Sequence, residues 1–385
     1  MEKVKLLILL TIFSCFFSIT VYEGLIILLL FITAFLIIKN RYIFNGYFLL
    51  PISMFSFPQI ISTALFNMKA IHKAFEHGLF GFIYLLVPFL KVDYKDFERI
   101  NKVILFAGYI SLGYIIYSYF QNSKLLFLRG TLFELAMFSC MFAAVSLSMY
   151  FYTKNRWYLF LFVLFSILVF ASARRSYMIA YILVIFLMLY VFRNLISRST
   201  LYFMLAFCFL ITVSTVYILT NKDKRFQHFY EVVTGKRKLD WRTFNIITTT
   251  RGYKFKRGIE KLRKSWQEGK YITLLIGHGI EKYKPYLPPP YESIFLMSEF
   301  IEKGAIGLLG ILLFFYRYFK IFFKFSIRKK EDILIVPSLI IPSINIGATI
   351  FNVFWNATLP LYILLLGMVE YFYYKKGERA NGRSP

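Results

Sequence analysis

Residues 221–292 form the one long interval in this chain that a bilayer cannot hold, and they constrain everything around them. The interval carries 17 Lys and Arg against 7 Asp and Glu, while the sequence on either side is a succession of apolar runs joined by short loops. A chain built this way folds as a bundle of apolar helices with one large cationic loop, because only helices satisfy their own backbone polar groups in hydrocarbon. A hydrophobic fraction of 58% and a mean hydropathy of +0.61 place it outside the soluble globular range. The net charge of +26 has no soluble domain on which to build a nucleic-acid site. It points instead to anionic headgroups and phosphates, with membrane lipids as partners and no nucleic acid.

About 20 apolar residues cross the hydrocarbon core. On that measure, spans are expected near 4–20, 24–38, 46–66, 77–91, 103–120, 131–152, 157–172, 176–192, 201–220, 305–323, 333–353 and 358–374. The expected fold is an all-α polytopic membrane protein with about 12 transmembrane helices. It divides into an N-terminal bundle (1–220), a basic extracytoplasmic loop (221–292), C-terminal spans (293–374) and a cytoplasmic tail (375–385). With the N-terminus inside, 22 Lys and Arg fall in short cytoplasmic segments and 6 in short outer loops, so the positive-inside rule selects that orientation. The opening residues Met1 to Lys5 and the following apolar run read as a retained first span. Cys15, Cys140 and Cys208 all lie in apolar runs, as packing residues do.

Within the loop, Phe255, Ile259, Leu262 and Trp266 recur at helical spacing, and Lys254, Lys256, Arg257, Lys261, Arg263 and Lys264 fill the other faces. This predicts an amphipathic helix in the headgroup plane. Its cations either grip anionic lipid alone or also steer a phosphate-bearing substrate. No phosphate-binding Gly-rich loop of the GxxxxGK[ST] type occurs. Without an Asp-x-Asp pair in the loop, and with His228 and His278 far apart, no metal and no cofactor are expected. His278, between Gly277 and Gly279, is read first as a turn residue and second as a base or ligand.

Ionisable residues that topology does not require are the informative ones. Arg129, Glu134, Arg174, Arg175, Arg251 and Glu292 all map to the outer face. Each has a plain alternative: Arg174 and Arg175 can snorkel to headgroups, Arg129 and Glu134 can pair locally, and Glu292, Glu299 and Glu302 can simply be solvated. Taken together, several Arg and a carboxylate on one face suit a pyrophosphate, because guanidinium offers paired donors to phosphate oxygens.

Four stretches resemble bacterial O-antigen polymerases and the related O-antigen ligases. They are Leu128–Phe133 opening the sixth span, Ser172–Ser176 before the eighth, Thr250-Arg251-Gly252 with the basic helix and Leu275–Gly279, and Glu292-Ser293 through Glu302–Leu308. The ligases are characterised by a His about eleven residues before the Gly of the last stretch. Ser293 stands at that place in this chain, beside Glu292, which favours the polymerase branch. The resemblance implies a metal-independent membrane glycosyltransferase that polymerises polyprenyl-diphosphate-linked repeat units at the outer face of the cytoplasmic membrane. It implies Arg174, Arg175 and Arg251 on the diphosphate and Glu292 as the base for the acceptor hydroxyl. Arg129, Glu134, Lys254, Arg257, His278 and Tyr291 would line the substrate. A chain-length regulator and a flippase are the implied protein partners. A ligase and a lipid-linked oligosaccharide flippase are the competing readings, in that order.

Overall fold

The computed structural model describes residues 1–122, 127, 132–172, 174–196, 202, 206, 213, 224–247, 251–280, 296–349, 354 and 356–375, without the side chains of Asn122, Arg175, 224–226 and 373–375. In chain order the α-helices are α1 (Glu2–Cys15), α2 (Ile19–Asn40), α3 (Leu49–Phe66), α4 (Ile71–Leu79), α5 (Tyr94–Asn122), α6 (Leu132–Thr153), α7 (Arg156–Ala171) and α8 (Arg175–Phe192). The polar interval supplies α9 (Lys224–Val233), α10 (Trp241–Ile247), α11 (Arg251–Gln267) and α12 (Tyr271–Ile276). The chain returns through α13 (Met297–Lys324), α14 (Val336–Ile340), α15 (Pro342–Thr349) and α16 (Leu359–Val369). Among the described residues there is no strand.

Among the described residues seven helical segments are long and apolar enough to cross a membrane, and three shorter apolar helices accompany them. The chain is an all-helical, membrane-embedded protein. Its layers follow from burial. The apolar window of 330–349 is wholly enclosed and that of α6 nearly so, whereas α2 is only 22% buried and turns Phe31, Phe35 and Ile38 outward. Helices apolar all round lie inside, and those at the rim present the same chemistry to lipid.

Helix ends carry the sequence's punctuation. Asn155 caps α7 by accepting the Trp157 N–H at 2.9 Å. Arg41, Lys91 and Lys154 follow helical segments in the left-handed conformation. There their charge also complements the negative end of the helix dipole.

The end of the bundle that holds the chain's start is fastened by polar contacts. Lys5 pairs with Asp96 at 2.7 Å. Tyr94 donates to Asp332, whose other oxygen accepts the N–H groups of Arg328 and Lys329. Glu370 accepts from the Tyr84 hydroxyl and the Tyr47 N–H, while Arg317 donates to the Tyr47 carbonyl.

Among the described residues most of the expected apolar segments are helical, with shifted bounds. The first stops at Cys15, short of residue 20, and a second starts at Ile19. The larger difference is at α13, which begins at Met297 and not near 305, and is broken at Gly304 (φ 67°, ψ −171°). Glu299 and Glu302, read as solvated in the simplest case, are thereby drawn into the helix, and Glu299 is buried. The expected span at 201–220 and the tail beyond residue 375 lie largely outside the described residues.

Candidate functional site

The site is built where the polar interval meets the bundle. α3 and α13 pack along their lengths, closely enough that a Cβ on Gly310 would sit 2.9 Å from the Phe55 nitrogen. At the far end of this pair, residues 275–280 cross both helices. The break at Gly304 takes the carbonyls before it out of the helical ladder, and the crossing segment supplies new donors. The His278 N–H reaches the Ile301 carbonyl at 2.8 Å, and the Gly279 N–H reaches that of Glu302 at 3.1 Å. Ser62 of α3 donates to the same Glu302 carbonyl at 3.2 Å, and Thr63 accepts the Ile280 N–H at 2.9 Å.

Three glycines permit this crossing. Gly277 (φ 90°), Gly279 (φ 75°) and Gly304 (φ 67°) all adopt left-handed backbone, and each faces another backbone. A Cβ on Gly277 would strike the Glu302 carbonyl, and one on Gly304 the Leu275 carbonyl. One on Gly279 would lie 2.6 Å from the Thr63 Cα. Only glycine combines this conformation with so close an approach.

α11 lies over the crossing. Asn245 fixes its start by accepting the Tyr253 N–H at 2.8 Å. The face turned to the protein is its small one, Gly252, Gly258 and Ser265, and a Cβ on Gly258 would stand 2.7 Å from Met297 of α13. From that face Ser265 meets His278, whose Nε2 is 2.8 Å from the hydroxyl and whose Nδ1 is 3.3 Å from the Ile301 carbonyl. A carbonyl only accepts, so Nδ1 carries the proton and Nε2 accepts from Ser265. Burial, then the charge of Lys261, holds the His278 pKa below its ordinary value, so the ring stays neutral. His278 thus joins the helix to the crossing.

The chemistry lies beside this junction. Lys261 is half-buried, and loss of hydration lowers its amine pKa to about 8, partly offset by the carboxylate of Glu302. Glu302 itself is half-buried, with the Gln59 amide 3.4 Å from Oε2. One helical turn away, Lys303 pairs with Glu299, both within 4% of full enclosure. The second Glu299 oxygen accepts the Phe354 N–H at 2.8 Å, and the Lys303 ammonium lies 5.9 Å from the ring centroids of Phe55 and Phe354. A cation of adjustable charge, a carboxylate and a neutral imidazole therefore stand around one backbone crossing. That set can bind an anion and accept a proton.

The residues singled out from the sequence fall into groups. Arg251 and Lys254 lie half-buried on α11, and Arg257 is exposed there, stacked 4.4 Å over Tyr253. Glu134 is half-buried at the start of α6 and Arg174 exposed at the start of α8, and the two helices meet through Phe133 against Tyr177 at 4.8 Å. The two groups rest on different packing partners: α11 on α10, α12 and α13, and α8 on α6 and α15. Arg129, Tyr291 and Glu292 lie outside the described residues, as does the Arg175 side chain. Sequence reasoning passed over Gln59, Ser265 and Lys303 and treated Lys261 as one cation among many. Glu299 and Lys303, four apart at the head of an apolar helix, were a readable signal.

No family model matches this chain, and no solved structure matches it. It is 33% identical over 379 residues to an uncharacterized protein of Aquifex aeolicus (strain VF5), covering 96% of this chain and 97% of that one. The two chains belong to one family. The match covers nearly the whole length of both chains.

Proposed function

We propose that this chain is a metal-independent membrane glycosyltransferase that polymerises polyprenyl-diphosphate-linked repeat units at the outer face of the cytoplasmic membrane. In this reading the apolar segments amount to about 12 spans, both termini are cytoplasmic, and residues 221–292 face outward. The supporting observation is the interlock of residues 275–280 with the break at Gly304. Those are two of the stretches that carry the resemblance to O-antigen polymerases, and their crossing gathers Lys261 and Glu302.

The acceptor sugar hydroxyl attacks the anomeric carbon of the growing glycan. The bond from that carbon to the diphosphate oxygen breaks, and polyprenyl diphosphate leaves. Lys261 and Arg251 offset the charge that develops on the leaving diphosphate. Glu302 takes the hydroxyl proton, a role for which Glu292 is the other candidate. Arg174 and Arg175 at the head of α8 hold the more distant phosphate, and Lys254 and Arg257 draw the carrier in. The glycosyl–diphosphate bond supplies the free energy, so the reaction needs no nucleotide outside the cell.

The first test is Arg251→Ala beside Arg251→Lys in cells making the native glycan. The length ladder of lipid-linked and surface glycan is expected to collapse to a single repeat in Arg251→Ala, with the protein still in the membrane. Partial recovery is expected in Arg251→Lys, which keeps the charge but loses the bidentate fork. Full-length polymer accumulating on the carrier would favour a ligase, and an unchanged ladder would remove Arg251 from the site.

A further inference from the structure

α11 and α12 have two unlike faces. The residues of α11 buried against the protein are small: Gly252 at its start sits on α10, and Gly258 and Ser265 form the inner face, with Gly258 on α13. The adjoining face exposes Phe255, Ile259 and Trp266, and α12 continues it with Tyr271, Ile272 and Leu275, each more than 40% exposed. Trp266 and Tyr271 meet edge to face at 5.3 Å, so the two helices present one joined aromatic surface. A soluble protein does not leave six such residues in water side by side.

This surface continues the lipid-facing rim of the bundle. Leu309 and Leu312 are exposed on α13, the helix on which α11 sits, and Phe57, Ile61 and Leu65 on α3, against which α12 packs. Its border is cationic. Residues 251–276 hold eight Lys and Arg against two Glu. Both Glu are already engaged by neighbours, Glu260 with Lys256 and Glu268 with Lys264 and Lys270.

We propose that α11 and α12 form an interfacial platform whose aromatic face sinks into the adjoining leaflet while its Lys and Arg bind anionic phospholipid headgroups. The occupant is the leaflet and not a soluble protein, because the apolar face is continuous with the rim of the spans and the cations flank it. Trp and Tyr favour this depth, where one edge is apolar and the other wet. Basic residues near an anionic surface add attraction that salt screens. One helix thus carries both the leaflet contact and Lys261, so the bilayer fixes the depth at which that cation meets Glu302. The lipid contact itself does not depend on the glycan-transfer reading.

The test is tryptophan fluorescence of the full chain in phosphatidylcholine vesicles whose acyl chains are brominated near the headgroup. The Trp266 contribution is the difference between the wild type and Trp266→Phe, a change at an exposed position that leaves the inner face intact. That difference is expected to be quenched by the brominated lipid and spared by aqueous iodide. Adding phosphatidylglycerol is expected to strengthen the quenching, and high salt to remove the added part. Lys256→Glu with Arg263→Glu and Lys264→Glu is expected to abolish the phosphatidylglycerol effect. Quenching by iodide and not by bromine would overturn the proposal and mark a face for a soluble partner. Bromine quenching indifferent to phosphatidylglycerol and salt would overturn its anionic half.

Discussion

Replacing Lys303 by Met is expected to destabilise the folded protein by about 3–5 kcal/mol, and Glu299→Leu by a similar amount. Each change strands one charge in a place with no water to solvate it. Among the described residues Glu299 would keep the Phe354 N–H as a partner, and Lys303 the two ring faces, which attract a cation by about 0.5–2 kcal/mol. The double change Glu299→Leu with Lys303→Met removes both charges and leaves apolar side chains of similar bulk. It is expected to recover most of the loss, because deleting a whole buried pair is often nearly neutral. Thermal unfolding of the four proteins in one detergent measures this, and the coupling between the sites is the quantity to read. Additive single losses would mean that the two charges do not depend on each other.

The second large effect is expected at the glycines, which form a graded series. Gly277→Ala and Gly304→Ala combine left-handed backbone with a Cβ driven into another backbone, where neither side can give. The conformation alone costs about 1–3 kcal/mol, and the collision adds to it by forcing the crossing apart. Gly235→Ala and Gly269→Ala share the positive φ, but nothing lies within 4 Å, so only the conformational part is expected. Gly24→Ala and Gly113→Ala lie within α2 and α5 with open space around them and are expected to be neutral or stabilising by roughly 0.5–1 kcal/mol. Limited proteolysis in the polar interval reports the first pair most directly, since separating residues 275–280 from α13 exposes the chain there. Equal effects across all six would contradict the interlocked crossing.

The parts of the fold written in hydropathy were legible. Apolar runs announced most of the helices to within a few residues, and the 3.6-residue spacing of Phe255, Ile259 and Trp266 announced α11. The apolar stripe of α11 was expected to meet the membrane, and what the sequence withheld was that Gly258 and Ser265 seat the helix on the protein. The apolar stripe is the conspicuous one, and burial usually goes to it, but in a bilayer the apolar side can face lipid and the small residues can face protein. The start of α13 was set too late for a related reason. Glu299, Glu302 and Lys303 look like water-exposed loop until the Glu299–Lys303 pair is seen to neutralise itself. The meeting of His278 with Ile301, or of Gly279 with Thr63, left no local trace, because the segments lie far apart in the chain. The sequence offered Arg129, Glu134, Arg174, Arg175, Arg251 and Glu292 as one outer face of cations and carboxylates. The site was not legible as Lys261 and Glu302 on one crossing.

The proposed transfer of glycan from a diphosphate at this crossing is tested by reconstitution. The full chain, alone in vesicles, would be given the lipid-linked single repeat that accumulates in cells lacking it. A ladder of longer lipid-linked glycans with release of polyprenyl diphosphate is the predicted result. Lys261 adds a sign to the prediction. Its amine is charged below about pH 8 and loses the proton above it, while a bound diphosphate holds the proton on. The KM for the lipid-linked donor should therefore rise between about pH 7 and about pH 9, and stay flat over that range in Lys261→Arg, whose charge does not titrate there. A protein that leaves the single repeat unchanged at every pH, while folded and inserted, would contradict the account.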